Sequence, residues 1–294
     1  MVKKIVFLLV ILVGAGQLAF AKVSRAEKKA LIDLYESTNG LHWVRKWDLD
    51  EAVEEWHGIT VENNHVVAIN LFRNNLMGPL PESISSLKYL KVLNLAFNHI
   101  TGEIPENIVA LENLEVLKLE MNRIKGEIPV EIGRLKNLQE LTAFNNFIEG
   151  RIPGSIGEIS QLRTLNLSSN MLRGEIPSSI GKLTKLERLG LFQNTLFGEI
   201  PAEMGQLSML KELVLSNNGL GGSIPAEFGQ LASLEILQLQ NNAFDSFKGL
   251  EQMDQDQFLV FDYDKKDDKL EFRDVDFSRT RMADTKFEDD EIDE

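Results

Sequence analysis

The sequence predicts an α/β repeat solenoid, a superhelix of stacked coils whose short parallel strands form one concave sheet. An asparagine recurs every 24 residues from Asn74 to Asn242 without insertion or deletion. Leucines two positions apart precede it, and this period of two is typical of a strand whose alternate residues are buried. Because one such coil cannot bury its own apolar side, repeats of this kind stack and share a continuous core.

The asparagine, the glycine and the proline of the repeat each meet a requirement of the backbone. A buried asparagine offers donors and acceptors, so a row of them can satisfy the peptide groups that a sharp turn leaves without sheet partners. The glycine that follows, such as Gly102, permits a positive φ or a close backbone approach, and the Ile-Pro step fixes an extended segment. The predicted structural ladder consists of Asn74, Asn98, Asn122, Asn146, Asn170, Asn194, Asn218 and Asn242.

Residues 90–105 show the repeat in full, L-x-x-L-x-L-x-x-N-x-I-x-G-x-I-P. This pattern resembles the plant-type leucine-rich repeat of receptor-kinase ectodomains and polygalacturonase-inhibiting proteins, which is also found in secreted bacterial proteins. The resemblance covers eight repeats over residues 66–249 and implies a leucine-rich-repeat superhelix. Departures are few: Ala143 replaces a strand leucine, and Ser246 and Gly249 replace the glycine and proline of the eighth repeat, as expected of a last coil.

The first 21 residues are typical of a cleavable signal peptide. Lys3 and Lys4 precede the apolar run Ile5–Val13, and the small-x-small pattern Ala-Phe-Ala ends at residue 21. The alternative is an uncleaved anchor, although the uncharged stretch is slightly shorter than the ~20 residues that a membrane span prefers. We therefore expect a secreted, periplasmic or cell-surface protein.

Residues 22–65 are predicted to form an N-terminal cap, because the first coil of a solenoid would otherwise expose its apolar side. Ser24 and Glu27 have the spacing of a capping box and predict a helix over about residues 25–37. We interpret the tryptophans that follow as the core of this cap rather than as a ligand cage. They are Trp43, Trp47 and Trp56.

Residues 56–61, W-H-G-I-T-V, look like the N-terminal cap of plant-type repeats, in which two cysteines flank this stretch. The corresponding positions here are Glu54 and Val61, so the cap keeps its apolar pattern and has no disulfide. The resemblance therefore favours a secreted bacterial member over a plant protein.

Residues 250–277 are predicted to cap the other end as a β-hairpin. The strand-like runs Phe258–Tyr263 and Leu270–Phe277 flank a polar turn. Residues 278–294 have the acidic, apolar-poor composition of a disordered tail.

Four aspartates at this turn raise the possibility of a calcium loop. An EF-hand-like loop starting at Asp262 requires a glycine at its sixth position and a glutamate at its twelfth, which here are Asp267 and Arg273. The sequence therefore favours a solvated turn, and no metal site is predicted. The four aspartates are Asp262, Asp264, Asp267 and Asp268.

Composition argues against several classes of function. With 45 acidic and 31 basic residues, the formal charge of −14 disfavours nucleic acid and anionic membranes, which bind basic surfaces. The absence of cysteine excludes a thiolate metal site and a cysteine nucleophile. The chain also has no G-x-S-x-G motif, no phosphate-binding glycine loop and no paired histidines of a helical zinc site. We therefore predict a protein without catalysis and without a cofactor.

Binding is expected on the concave face, because residues that alternate with the buried leucines project from the strands. In the N-terminal half of the solenoid, the two positions after the second strand leucine carry aromatic residues, methionine and arginine. Residues of these types are typical of binding hot spots. In the alternative interpretation, these aromatic residues only pack on neighbouring strands. The candidate partner-binding residues are Phe72, Arg73, Phe97, Lys118, Glu120, Met121, Phe144, Arg188 and Phe192.

The predicted function is that of a secreted recognition protein, a monomer that binds a protein, peptide or glycan partner on this face. One alternative is an inhibitor of a glycan-degrading enzyme, by resemblance to the polygalacturonase-inhibiting proteins. Another is a structural or adhesive cell-surface protein, which the sequence does not separate from the first.

Overall fold

The computed structural model describes residues 22–251, 253 and 258–264. The predicted signal peptide, the second predicted hairpin strand and the acidic tail lie outside these residues. Along the described chain one unit repeats: a strand, a turn, a second extended segment and a 3-10 turn that leads to the next strand. We number these coils one to eight by their ladder asparagines, from Asn74 to Asn242.

The chain enters the solenoid through helix α1 (Arg25–Ser37), which confirms the predicted helical cap. The hydroxyl of Ser24 accepts a hydrogen bond from the Glu27 amide at 3.2 Å, and the Glu27 carboxylate accepts one from the Ser24 amide at 3.3 Å. This reciprocal pair satisfies amides that a helix start leaves unbonded. Leu31 and Leu34 are fully buried in the same core as the repeat leucines, so the helix closes the first coil.

The three tryptophans form the interior of the cap. Trp47 stacks on Trp56 with ring centroids 4.8 Å apart, and it meets Trp43 edge to face at 4.9 Å. Each indole N–H donates to a backbone carbonyl within the cap, at 2.8 to 3.0 Å. Because the polar atoms are satisfied internally and the rings are at most 4% exposed, these residues lie in a closed core.

The concave sheet has ten strands in the order in which the chain forms them. The first pair is antiparallel, and every later pair is parallel with a register of 24 residues, so that Leu93 lies beside Leu117. The strands are β1 (Ile59–Glu62), β2 (His65–Asn70), β4 (Val92–Asn94), β6 (Val116–Lys118), β8 (Glu140–Thr142), β10 (Thr164–Asn166), β12 (Arg188–Gly190), β14 (Glu212–Val214), β16 (Ile236–Gln238) and β18 (Val260–Asp262).

A second series of short strands follows the ladder asparagines. The sequence indicated only a turn and an extended Ile-Pro step here, but constant stacking brings the extended segments of successive coils close enough to pair. They form one pair and one six-stranded sheet. The strands are β3 (Met77–Pro79), β5 (His99–Thr101), β7 (Lys125–Glu127), β9 (Phe147–Gly150), β11 (Met171–Gly174), β13 (Thr195–Glu199), β15 (Gly219–Ser223) and β17 (Ala243–Ser246).

Short 3-10 helices complete the coils and contribute buried isoleucine and leucine to the core. Their bounds are Gly40–His42, Val53–Glu55, Glu82–Ser86, Glu106–Ala110, Ile132–Arg134, Gly154–Glu158, Ser178–Lys182, Ala202–Gln206, Ala226–Gln230 and Lys248–Leu250.

The asparagines at the 24-residue positions bind the coils to one another. The amide of Asn122 donates to the carbonyl of Leu119 in its own coil at 3.0 Å and to that of Leu95 in the preceding coil at 2.9 Å. Its side-chain oxygen accepts the backbone N–H of Ile100 at 2.9 Å. The Asn122 side chain thus provides hydrogen-bond partners for peptide groups of two coils at the turn, where the hydrogen bonding between strands has ended.

The last described strand lies in the segment that we expected to form the C-terminal cap. Val260–Asp262 pairs in parallel with β16, so Phe261 lies beside Leu237 in the register of another coil. Its predicted hairpin partner, Leu270–Phe277, lies outside the described residues, and the hairpin therefore stays a prediction. The main sheet extends one strand beyond coil eight.

We expect Asn122→Ala to lower the free energy of unfolding by about 2–4 kcal/mol, because the buried Ile100 amide loses its acceptor and a cavity opens. The control is Asn113→Ala: this exposed asparagine also bridges two coils, through the Lys88 carbonyl, which water can reach. Denaturant unfolding of both variants measures the difference. Equal losses for the two variants would contradict the role of the ladder.

Two glycines of one 3-10 helix provide a matched test of coil spacing. A Cβ at Gly157 would lie 2.2 Å from the carbonyl oxygen of Ser179 in the next coil, whereas a Cβ at Gly154 meets nothing within 4 Å. We expect Gly157→Ala to destabilise the fold by about 2 kcal/mol or more, because stacked backbones would have to separate. Gly154→Ala should be neutral or stabilising by up to about 1 kcal/mol. Thermal and denaturant unfolding measure both, and a neutral Gly157→Ala would show that the coils tolerate wider spacing.

Candidate partner-binding face

Two residues of each concave strand face away from the core. In β4, Leu93 is buried inward while Val92 and Asn94 stay partly exposed on the other side. The period of two in the sequence indicates both positions, and the candidate residues Lys118 and Arg188 come from the second and the first of them. The residues at the first position, from β2 to β16, are Ala68, Val92, Val116, Glu140, Thr164, Arg188, Glu212 and Ile236.

A groove opens beside the strands of the first coils, where the chain turns. The residue before each ladder asparagine has a positive φ, for example 58° at Phe97 and 56° at Met121. This left-handed conformation is uncommon outside glycine and asparagine, and the residue types at this position do not predict it. The groove measures about 480 Å³ and is lined by Arg73, Asn75, Phe97, Asn98, His99, Met121, Asn122, Arg123 and Asn145.

The groove combines an apolar surface with cationic groups. Phe97 and Met121 supply the apolar part, and Phe72 meets Phe97 edge to face with ring centroids 5.2 Å apart. Arg73 and Arg123, both exposed, are among its lining residues. Among the described residues, neither arginine forms a salt bridge. The groove can therefore offer an apolar contact and two unneutralised charges to one ligand.

A polar network adjoins the groove on the strands of coils three and four. Lys118 lies 3.2 Å from the carboxylate of Glu140, and the Thr142 hydroxyl donates to the Glu120 carboxylate at 2.5 Å. Burial raises the pKa of Glu120, an effect that the Thr142 hydrogen bond and the Lys118 charge oppose and the Glu140 charge increases. Lys118 and Glu120 thus already have partners within the protein.

The remaining candidates do not line the groove. Phe144 is half-buried on coil four, next to Asn145 of the groove. Arg188 donates to the hydroxyl of Thr164 at 2.9 Å. Phe192 packs against an apolar cluster on the last strands. The structure therefore brings Phe72, Arg73, Phe97 and Met121 together around the groove, while their role in binding stays a prediction.

The described residues place no three His, Asp or Glu side chains where they could hold a metal ion. Of the aspartates considered for calcium, Asp264 accepts hydrogen bonds from the backbone amides of Asn241 and Asn242. Asp267 and Asp268 lie outside the described residues. Within the described ranges, no helix has the length and apolar character needed to cross a membrane.

Two family models match this chain. One, described as "Leucine rich repeat", matches residues 88–148, and the other, "Leucine-rich repeat region", matches residues 150–273. A comparison with curated proteins gives no match.

Among solved structures, the chain is similar to ectodomains of plant receptor kinases. The leucine-rich-repeat ectodomain of GASSHO1/SCHENGEN3 from Arabidopsis thaliana, in complex with CASPARIAN STRIP INTEGRITY FACTOR 2, is 34% identical with a TM-score of 0.76 over 80% of this chain and 29% of that chain. The PEPR1–AtPEP1 structure is 29% identical with a TM-score of 0.71, over 82% and 36%.

A third similar structure is the Arabidopsis receptor kinase HAESA in complex with the peptide hormone IDA and the co-receptor SERK1. It is 28% identical with a TM-score of 0.71, over 82% of this chain and 41% of that chain. The present chain therefore spans about a third of the length of the receptor chains that it matches.

The raised pKa of Glu120 predicts a pH-dependent stability difference from Glu120→Gln. A carboxyl group whose pKa is higher in the folded than in the unfolded protein favours folding at low pH, and this contribution is lost as pH rises through the folded value. We therefore expect the wild type to lose stability relative to Glu120→Gln as pH rises above the ordinary glutamate range. Denaturant unfolding of both proteins across pH measures it, and a difference that does not change with pH would contradict the raised pKa.

Proposed function

Because this chain is a leucine-rich-repeat protein, we propose that it is an exported recognition protein that binds a peptide, or an extended segment of a protein, along its first coils. The observation that carries this proposal is the groove of about 480 Å³ beside coils one to four. Its volume is in the range of roughly 300–1,000 Å³ that is typical of ligand sites.

The chemistry of the groove favours a particular type of segment. Phe97 and Met121 give apolar anchor surface, and binding energy concentrates on aromatic and arginine side chains of this kind. Arg73 and Arg123 add two positive charges that no described carboxylate neutralises, on a chain with a formal charge of −14. An apolar residue beside an acidic residue in the ligand would complement both features.

The similar structures support a peptide ligand. HAESA is in complex with the peptide hormone IDA, and the GASSHO1/SCHENGEN3 ectodomain is in complex with CASPARIAN STRIP INTEGRITY FACTOR 2. Export is supported by the basic and apolar pattern of residues 1–21, which is typical of a signal peptide. The proposed role is non-catalytic, in keeping with a sequence that has no G-x-S-x-G motif and no phosphate-binding glycine loop.

We expect peptides selected from a displayed random library against the mature chain to depend on the groove. Phe97→Ala and Arg73→Ala should each weaken the selected peptides about tenfold or more, equivalent to about 1.4 kcal/mol. Matched controls are Phe197→Ala and Arg173→Ala, which truncate exposed side chains of the second sheet. Affinity measurements on the four variants test the proposal, with thermal unfolding to verify the fold.

Controls that retain affinity within about twofold would support the groove as the site. Selected peptides that bind all four variants equally well would contradict it.

A further inference from the structure

The loop of residues 41–46, which follows helix α1 and is called the cap loop below, presents apolar and cationic side chains to solvent. Leu41 and Val44 are each 71% exposed, more than any other large apolar residue of the described chain. Arg45 and Lys46 are also exposed, and neither forms a salt bridge with another described residue. Strongly exposed apolar side chains beside unpaired cations are typical of an interaction surface.

The cap loop takes the place of a preceding coil beside coil one. The Asn74 side chain accepts the Arg45 amide at 2.7 Å and donates to the Arg45 carbonyl at 3.2 Å, as the next ladder asparagine does with the coil before it. The Val44 amide donates to the Asn74 carbonyl at 3.1 Å. The Asn75 side chain donates to the His42 carbonyl at 2.8 Å, and Asn75 itself lines the groove. The cap loop therefore borders the groove where coil one begins.

The groove is short for an extended peptide. From coil one to coil four it spans three coil spacings, about 14 Å, which is the length of about four residues in extended form. A longer segment must therefore continue beyond one of its ends. Beyond coil four the residues in line with Phe97 and Met121 are neutral and polar, whereas the cap loop continues both the apolar and the cationic character of the groove. The neutral residues are Ser169, Gln193, Asn217 and Asn241.

We propose that the peptide segment bound in the groove continues over the cap loop, and that this part of the segment carries an apolar residue beside an acidic one. The inference rests on the proposed peptide-binding function and adds a second subsite to it. Leu41 and Val44 bury the apolar side chain of the ligand. Its acidic side chain lies against Arg45 and Lys46, which extend the positive charge of the groove on a chain with a formal charge of −14.

An anionic membrane also binds loops that combine apolar and basic side chains. The acidic residues that follow the cap loop make a peptide the better fit. A bilayer that receives the loop also approaches these residues and is repelled by them, whereas a peptide chain contacts only the strip beside coil one. The acidic residues are all exposed: Asp48, Asp50, Glu51, Glu54 and Glu55.

The probes for the test are peptides selected from a displayed random library against the full-length mature chain. We expect Val44→Asp and Arg45→Glu each to weaken these peptides about tenfold or more, because both remove a contact and repel the acidic residue of the ligand. The matched controls make the same changes of charge elsewhere: Val130→Asp at a valine that is 68% exposed, and Arg173→Glu on the second sheet. Both controls should stay within about twofold of the wild type, with thermal unfolding to verify the fold.

Truncation of the selected peptides separates the two subsites. Removal of residues one at a time from one end should abolish the sensitivity to Val44→Asp while the sensitivity to Phe97→Ala remains, because the shortened peptide occupies the groove alone. The same removal from the other end should leave the sensitivity to Val44→Asp in place. Affinity measurements on each pair of peptide and variant form a double-mutant cycle that isolates the contact with the cap loop.

Three results would overturn the proposal. Peptides that depend on Phe97 and Arg73 but bind the two cap-loop variants like the wild type would confine the site to the groove and leave the proposed function intact. Peptides that depend on the cap loop but not on Phe97 would show that the loop and the groove do not share one ligand. Binding of the chain to phosphatidylserine vesicles that Val44→Asp abolishes, together with peptides that are insensitive to Val44→Asp, would assign the cap loop to a membrane surface.

Discussion

The hydrogen bonding of the buried asparagines is the constraint on which the other features of this solenoid depend. Asn98 donates to the carbonyls of Leu95 and of Leu71 in the preceding coil, and its oxygen accepts the amide of Leu76. The chain can therefore leave the sheet and turn in a place closed to water, where an unpaired peptide group would cost about 1–3 kcal/mol. A coil with one residue more or fewer would move the amide out of reach, which explains the constant spacing.

The same turn creates the groove. Because the ladder asparagine must point inward, the residue before it adopts a left-handed conformation, and its side chain is directed away from the core. The repeat does not fix the residue type at this position, which holds Arg73, Phe97, Met121 and Ser169 in different coils. The residues that hold the coils together therefore lie next to the residues that line the groove, and the groove side chains vary from coil to coil while the ladder asparagine is constant.

The two ends differ in how they close the core. At the front, a helix and three mutually packed tryptophans cover the first coil without a disulfide, and every indole N–H is bonded inside the cap. At the back, the sheet continues by one strand with Val260 facing the concave side. The two halves of the concave side therefore differ: the groove of coils one to four carries Arg73 and Arg123, and strands β14, β16 and β18 carry the apolar cluster of Val214, Ile236 and Val260.

The sequence by itself determined the solenoid, its register, the helical cap and the positions of the ladder, because strict spacing and residue type follow from local hydrogen-bonding needs. Tertiary structure decided the rest. The second series of strands, the left-handed turn residues and the grouping of Arg73, Phe97 and Met121 with Arg123 arise only when coils stack, since residues 24 or more positions apart become neighbours. Arg188 and Phe192 appeared equivalent to those residues in the repeat pattern, yet stacking places them several strands away with partners of their own.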